Sequence, residues 1–474
     1  MDGRFVAAAD GRTFEDVSPR DGRVIAEVAR GSAEDVDLAV RAARRAFDDG
    51  AWAQADPRER KRVLLRWAEL IDERAEELAQ LESAEVGHPI TDARNVDVPG
   101  ARNCIAWYAE AIDKVYGEIA PTGADALALI GREPLGVIGA VIPWNYPLII
   151  TAWKLAPALA TGNSVVLKPA EQSPLSALAL AELGAEAGLP DGVLNVVPGF
   201  GEEAGEPLGR HFLVDKIAFT GSVEVGRRFL GYAGESNGKA VSLELGGKSP
   251  HVVLTDAGDL DAAAQAIGWG IFYNAGQTCH AGSRVIVERD VAPALAERLV
   301  TFARAMVPGD PADASTTLGA LVSGEHLAGV LGRVERAAGN GARLLVGGTR
   351  AEPVPGGAYM RPTVLEALDP ADPIVQEEVF GPVLAIQRAD DAEHAIALAN
   401  GTGYGLAAAV WSSNITTAHR VARRLRAGTV WINTFDVSSL TTPFGGVKDS
   451  GHGRDRSLHA LDAYTHLKTT WVAL

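Results

Sequence analysis

The chain has 474 residues, more than a single hydrophobic core sustains, so two or more domains are expected. With 44 Lys and Arg against 61 Asp and Glu the formal charge is −17, which argues against nucleic acid and anionic membrane as partners. Only two cysteines occur, Cys104 and Cys279, too few for a disulfide framework or a multi-cysteine zinc site, so no metal and a reducing, cytoplasmic compartment are expected.

Residues 1–16 carry acids and no apolar run of the signal-peptide kind. Asp56, Pro57 and Glu59 read as an N-cap, a first-turn proline and a capping-box glutamate. Val63, Trp67, Leu70, Ile71, Leu78 and Leu81 then recur at helical spacing, predicting one amphipathic helix that ends near Gly87 and packs into the core. Residues 127–130 and 467–472 form short apolar runs, expected as edge strands covered by another subunit. The most apolar stretch, 135–153, contains Pro143, Asn145 and Pro147, which favour a buried strand, loop and helix over a membrane span. From residue 137 the pattern alternates: strands at 137–142, 164–167, 193–197 and 216–219, with helical segments around 148–160, 174–187 and 202–210. A second alternating region runs from Pro250 to about Gly428, with strands near 251–254 and 284–287 and a last one at 429–433. Such βαβ units make parallel sheets, which bind ligands at the carboxyl ends of their strands.

The residues suited to chemistry sit just after these strands. Cys279, in Gly276-Gln277-Thr278-Cys279-His280, has small and polar flanks, with Gly276 and Gly282 each three positions away, and an exposed turn carrying a thiol nucleophile is expected. A lone cysteine can equally be a buried, inert one. Glu244 enters a Gly-Gly turn from a buried strand, where a low dielectric raises its pKa and suits it to be a general base. The alternative is an ion pair with Lys248 across the turn. Asn145, held between Trp144 and two prolines, is either an oxyanion donor or a turn residue. Phe219-Thr220-Gly221-Ser222 follows a strand and opens a helix, as a pyrophosphate site does, and Gly199-Phe200-Gly201 can admit a cofactor closely. Lys168 and Glu171 can hold ribose hydroxyls. No G-x-G-x-x-G stands at the first βα turn.

In order, PWNYP (143–147), KPAEQSP (168–174), FTGS (219–222), ELGGKSP (244–250), GQTCHAGSR (276–284), EEVFGPV (377–383) and PFGGVKDSGHGRD (443–455) resemble the aldehyde dehydrogenase superfamily over essentially the whole chain. That resemblance implies an α/β fold of three parts: a Rossmann-like cofactor domain (1–115 and 135–246), a catalytic domain (247–450) and a small β oligomerisation flap (116–134 and 451–474). It implies a homodimer or homotetramer, and NAD as cofactor with NADP as the alternative. The missing fingerprint follows too, since this family binds its dinucleotide differently. Cys279 would attack the aldehyde. Asn145 and the Cys279 N–H would hold the oxyanion, Glu244 would activate the hydrolytic water, and Lys154 would serve a proton relay behind Glu244. Lys168 and Glu171 match adenosine-ribose contacts, Ser222 a pyrophosphate contact, and Glu378 and Phe380 the nicotinamide end. Ile142, Pro143, Trp144, Gly201, Phe219, Gly221, Leu245 and Gly246 fall at further cofactor positions. Tyr146, Ile149, Ile150, Trp153, Phe435 and Asp436 fall at the substrate pocket.

Within the family, residues 107–118 and 453–460 resemble γ-glutamyl-γ-aminobutyraldehyde dehydrogenases of putrescine breakdown and related ω-aminoaldehyde enzymes. Asp436 can attract a cationic tail, although an aspartate there also resembles broad-specificity aliphatic and aromatic aldehyde enzymes. Two departures stand out. Asp455 replaces a glutamate of many relatives, and Glu244 and Cys279 are 35 positions apart, one more than in many relatives, the extra residue falling near Gly258. Three rivals compete: a CoA-acylating enzyme, which commonly lacks the base at Glu244, a non-catalytic protein on the same fold, and a hydrolase using Cys279 with His280. The last is disfavoured on the expectation that adjacent side chains point apart.

Overall fold

The structure is a computed structural model and describes residues 1–367 and 369–474. Its first large sheet runs Gly451–His452, Ala240–Leu245, Lys216–Gly221, Val137–Val141, Ser164–Lys168, Leu194–Val196. All neighbours are parallel except Gly451–His452 against Ala240–Leu245. The strands Val137–Val141 and Ser164–Lys168 are buried at every position. They are covered on both faces, so they read as unbroken apolar runs rather than alternating ones. The chain leaves the central strand Val137–Val141 in one direction, through Ser164–Lys168 and Leu194–Val196, and then returns to its other side at Lys216–Gly221. That reversal makes a topological switch point, and residues 142–147 and 222 follow the two strands that flank it.

The second sheet has seven strands, ordered Arg343–Val346, Thr363–Glu366, Val383–Ala389, Arg284–Glu288, Pro250–Val253, Ala407–Trp411, Thr429–Ile432, and only the first is antiparallel. The fold is therefore the expected mixed α/β one, with two parallel sheets. Between its strands run helices such as Leu260–Phe272 and Gly324–Gly339, each burying one apolar stripe.

Three expectations need correction. The single helix before Gly87 is two, Pro57–Glu73 and Ala75–Val86, broken at Arg74, whose φ and ψ are −108° and 19°. Asp56 does cap the first through Arg58 N at 2.8 Å, but Glu59 bonds the Arg62 guanidinium and closes no capping box. A strong cation on the exposed face outcompetes the backbone N–H for that carboxylate. Third, the apolar run at 127–130 is not an edge. Ala126–Pro134 is the middle strand of a small sheet, between Glu118–Ala120 and the exposed Thr465–Ala473. Among the described residues no helix is long and apolar enough to cross a membrane.

Candidate active site

Helix Leu260–Phe272 ends in a left-handed turn, with φ of 48° at Asn274, 51° at Ala275 and 73° at Gly276. Non-glycine residues in that region are strained, so the surroundings must hold them. A Cβ at Gly276 would lie 2.2 Å from the Gly381 carbonyl oxygen, so glycine is required there. The Gln277 side chain accepts from Val322 N at 2.8 Å and donates to the carbonyls of Asn274 and Ala320. Asn145 Nδ2 donates to Gln277 O at 2.8 Å, tying the Pro143–Pro147 loop to the cysteine turn. The turn is thus buried, not exposed as its glycines led one to expect: the chain packs around Gly282 so closely that a Cβ would lie 2.0 Å from the His251 ring. Only at Cys279 and His280 does it come partly to the surface. Cys104, by contrast, is fully buried in the core.

Glu244 lies near the end of strand Ala240–Leu245. Its carboxyl group is buried and neither oxygen has a hydrogen-bond partner. Burial drives its pKa well above the carboxylate range, reinforced by the charge of Asp455 and opposed by Lys154. The alternative pairing with Lys248 is not formed. That amine is itself buried, which lowers its pKa to about 7. Gly445 makes room for Glu244, since a Cβ there would sit 2.5 Å from Glu244 Oε1. Behind Glu244, Lys154 Nζ donates to Asp455 Oδ2 at 2.5 Å, with both side chains almost inaccessible. The shorter Asp455 side chain still reaches the lysine.

His280 is where the sequence reasoning fails. Its Nδ1 lies 3.8 Å from Cys279 Sγ, and its Nε2 lies 2.7 Å from Asp436 Oδ1. Adjacent side chains diverge on a strand, but Cys279 and His280 occupy a turn, where no such alternation operates. Asp436 is therefore not a free carboxylate; it is engaged by an imidazole. The sign was present in the sequence as a histidine directly after the cysteine.

Around this pair stands an aromatic wall. Trp153 and Phe444 lie 5.4 Å apart, with the Arg456 guanidinium over both rings at 5.3 and 5.4 Å. Phe435 packs on Trp431 at 4.7 Å and on His251 at 4.4 Å. The Tyr146 hydroxyl bonds Thr278 Oγ1 at 2.7 Å. Ile149 is half-buried, whereas Ile150 belongs to the helix-lined core.

The dinucleotide candidates gather at the switch point. Ile142 N donates to Lys168 O at 3.1 Å across the two central strands, and Lys168 Nζ donates to Glu171 Oε2 at 3.2 Å. Ser222 caps helix Val223–Gly234, whose start offers backbone N–H groups to an anion; Gly221 precedes it, and Gly201 opens the next crossover, where a Cβ would meet nothing within 4 Å. Phe219 and Leu245 lie in the apolar core beneath. On the other sheet's side, Glu378 Oε1 accepts from Gly247 N at 2.9 Å, and burial raises its pKa to about 7. Its second oxygen occupies the space a Cβ on Gly246 would need, 2.0 Å away. Trp144 and Phe380 meet edge to face at 5.3 Å over Pro143's loop. An ammonium and carboxylates for ribose hydroxyls, a helix start for a pyrophosphate and an aromatic pair make a donor set that fits a nicotinamide dinucleotide.

The sequence pattern of the Aldehyde dehydrogenase family matches residues 5–470. Among curated proteins, the NADP/NAD-dependent aldehyde dehydrogenase PuuC of Escherichia coli is 49% identical over 474 residues, covering 100% of this chain and 95% of that protein. The solved γ-glutamyl-γ-aminobutyraldehyde dehydrogenase of Burkholderia cenocepacia is 55% identical with a TM-score of 0.98, over 100% of this chain and 96% of that one. An indole-3-acetaldehyde dehydrogenase solved with NAD+ gives 49% and a TM-score of 0.99 over the same shares. The chain belongs to the aldehyde dehydrogenase family, the NAD(P)-dependent oxidoreductases of aldehydes.

Proposed function

We propose that this chain oxidises an ω-amino or γ-glutamylamino aldehyde from polyamine breakdown to its carboxylic acid, using NAD with NADP as the alternative. The observation that carries the chemistry is the unpartnered buried carboxyl of Glu244, which feels the charge of half-buried Cys279, with the amide of Asn145 tied to the turn that carries that cysteine. Cys279 Sγ attacks the aldehyde carbon, forming a C–S bond and an oxyanion. Asn145 Nδ2, fixed by Gln277, and the Cys279 N–H donate to that oxygen. A dinucleotide held by Lys168, Glu171, Ser222 and Glu378 would supply the hydride acceptor needed to reach the thioester. Glu244 then removes a proton from water as it attacks the thioester carbon, and the thiol is released. Lys154 and Asp455 hold Glu244's surroundings polar and can pass its proton onward. Glu244 also argues for water over CoA as the acyl acceptor.

Lys168 and Glu171 hold the adenosine ribose, Ser222 the pyrophosphate, and Glu378 the nicotinamide ribose; Glu171 would repel a 2′-phosphate and so favours NAD. Support for the substrate class comes from the names of the relatives and from the resemblance at 107–118 and 453–460. A second reading, a broad-specificity aliphatic and aromatic aldehyde dehydrogenase, is favoured by one observation: Asp436 is neutralised by His280 inside an aromatic wall. We place the protein in the cytoplasm, divided into the three parts given by the resemblance, and assembled as a homodimer or homotetramer through the flap.

The test is NAD(P)H formation by purified protein without CoA, across propanal, benzaldehyde, 4-aminobutanal and the γ-glutamyl adduct, with Cys279→Ala as control. Turnover that vanishes in the variant supports the mechanism, and kcat/KM ranking selects the substrate class. Turnover surviving Cys279→Ala overturns it.

A further inference from the structure

Cys279 Sγ, His280 and Asp436 stand in line: thiol to Nδ1 at 3.8 Å, Nε2 to carboxylate at 2.7 Å. The three come from two elements. Cys279 and His280 leave the buried turn together, and Asp436 follows strand Thr429–Ile432 with a φ of 60°, left-handed for a non-glycine residue. Phe444 at 5.5 Å, Trp431 at 6.1 Å and Phe435 at 6.3 Å flank the imidazole, while the carboxylate of Asp436 remains half-exposed. We propose that His280, oriented by Asp436, takes the Cys279 thiol proton and keeps the nucleophile as a thiolate beside an imidazolium, before aldehyde binds and without Glu244.

In that step the S–H bond breaks and an Nδ1–H bond forms, with nothing else consumed. The carboxylate at Nε2 fixes the tautomer and supports the cation, as a third group does in other nucleophile–histidine pairs. Burial opposes the charge on His280, but Asp436 and Cys279 outweigh it and raise its pKa to about 10, which makes the ring the stronger base of the pair and favours the proton on nitrogen. The other groups that face the trio are accounted for. Burial raises the pKa of Glu244, from strand Ala240–Leu245, and Lys154 and Asp455 behind it pair with each other. Tyr146 and Thr278 bond one another, and Arg456 faces Asp436 across Phe444 and Trp153. Among these only His280 has a nitrogen at hydrogen-bond distance from Sγ. The thiolate is the attacking form of cysteine, so its fraction at neutral pH sets the rate of the first step.

This inference rests on Cys279 being the nucleophile, and its test separates the two. The full-length protein is alkylated with iodoacetamide across a pH series and the labelled cysteine identified by mass spectrometry, for the wild type, His280→Gln and Asp436→Asn. The expected result is labelling at Cys279 that stays fast to mildly acidic pH in the wild type. In His280→Gln it is slower by about tenfold at neutral pH and recovers toward the wild-type rate in alkali, with Asp436→Asn between them. The alkaline convergence shows that access to the thiol is unchanged. Should His280→Gln not fold, the half-exposed Asp436→Asn carries the same comparison. Superimposable profiles overturn the proposal, whereas alkylation at Cys279 that leaves aldehyde oxidation intact overturns the assignment of Cys279 itself.

Discussion

At the residue scale the site is built on a conflict between folding and chemistry, clearest at Glu244. A carboxyl group with no partner in a buried position favours its neutral form. Its folded pKa lies above its unfolded one. The stability contributed by the neutral acid is therefore complete below the ordinary carboxylate range, and is lost as pH rises through that range toward the raised value. Glutamine imitates the neutral form and escapes this loss. Glu244→Gln is expected to melt at higher temperature than the wild type at neutral and alkaline pH, by about 1–3 kcal/mol, with the difference closing in acid. The same variant should retain a single-turnover burst of NAD(P)H while steady-state turnover falls by about 10²–10⁴-fold, because only thioester hydrolysis needs the base. Stopped-flow absorbance separates the two phases; loss of the burst would mean that Glu244 acts earlier. Glu244 was legible as a candidate from its place at the end of a buried strand. Its release from Lys248, the space left by Gly445 and the Lys154–Asp455 pair behind it were not, because each joins segments far apart in the chain.

At the element scale, the turn 274–276 positions the nucleophile. Three successive left-handed residues would not persist without the bonds of Gln277 and Asn145, which hold the turn from outside it. Gly276→Ala must push against the Gly381 backbone, which cannot give way as a side chain would. We expect it to lower stability by about 3 kcal/mol and to misplace Cys279, read as a lower melting temperature and slower alkylation. Unchanged values for both would show that the turn relaxes freely. The expectation of an exposed turn rested on small and polar flanks, with a glycine three positions to either side of Cys279. Here glycine instead marks crowding at Gly276 and Gly282, and local sequence does not distinguish the two. The first helix teaches the same lesson: its apolar period runs through Arg74 unbroken, yet the backbone does not.

On the scale of the whole molecule, strand Thr465–Ala473 leaves Leu467 60% and Trp471 65% exposed, on a sheet whose other edge exposes Ile119. Apolar side chains along an open strand are a surface for another chain. If the flap joins subunits, Leu467→Asp combined with Trp471→Asp should yield a smaller species by size-exclusion chromatography with light scattering, with secondary structure retained. An unchanged mass would remove the flap from the interface.

The sequence by itself determined the α/β class, the alternation of strands and helices in both sheets, and the short list from which the site is drawn. These depend on hydrophobic period and on motifs within a few residues, which local chemistry specifies. The tertiary structure alone decided which candidates meet. It placed His280 beside Cys279 and against Asp436, freed Glu244 from Lys248, paired Lys154 with Asp455, and packed Ile150, expected at the substrate pocket, into the apolar core. Those outcomes are contacts between residues up to hundreds of positions apart, set by how two sheets pack and by the direction a side chain takes from a turn. Neither is encoded in any one segment.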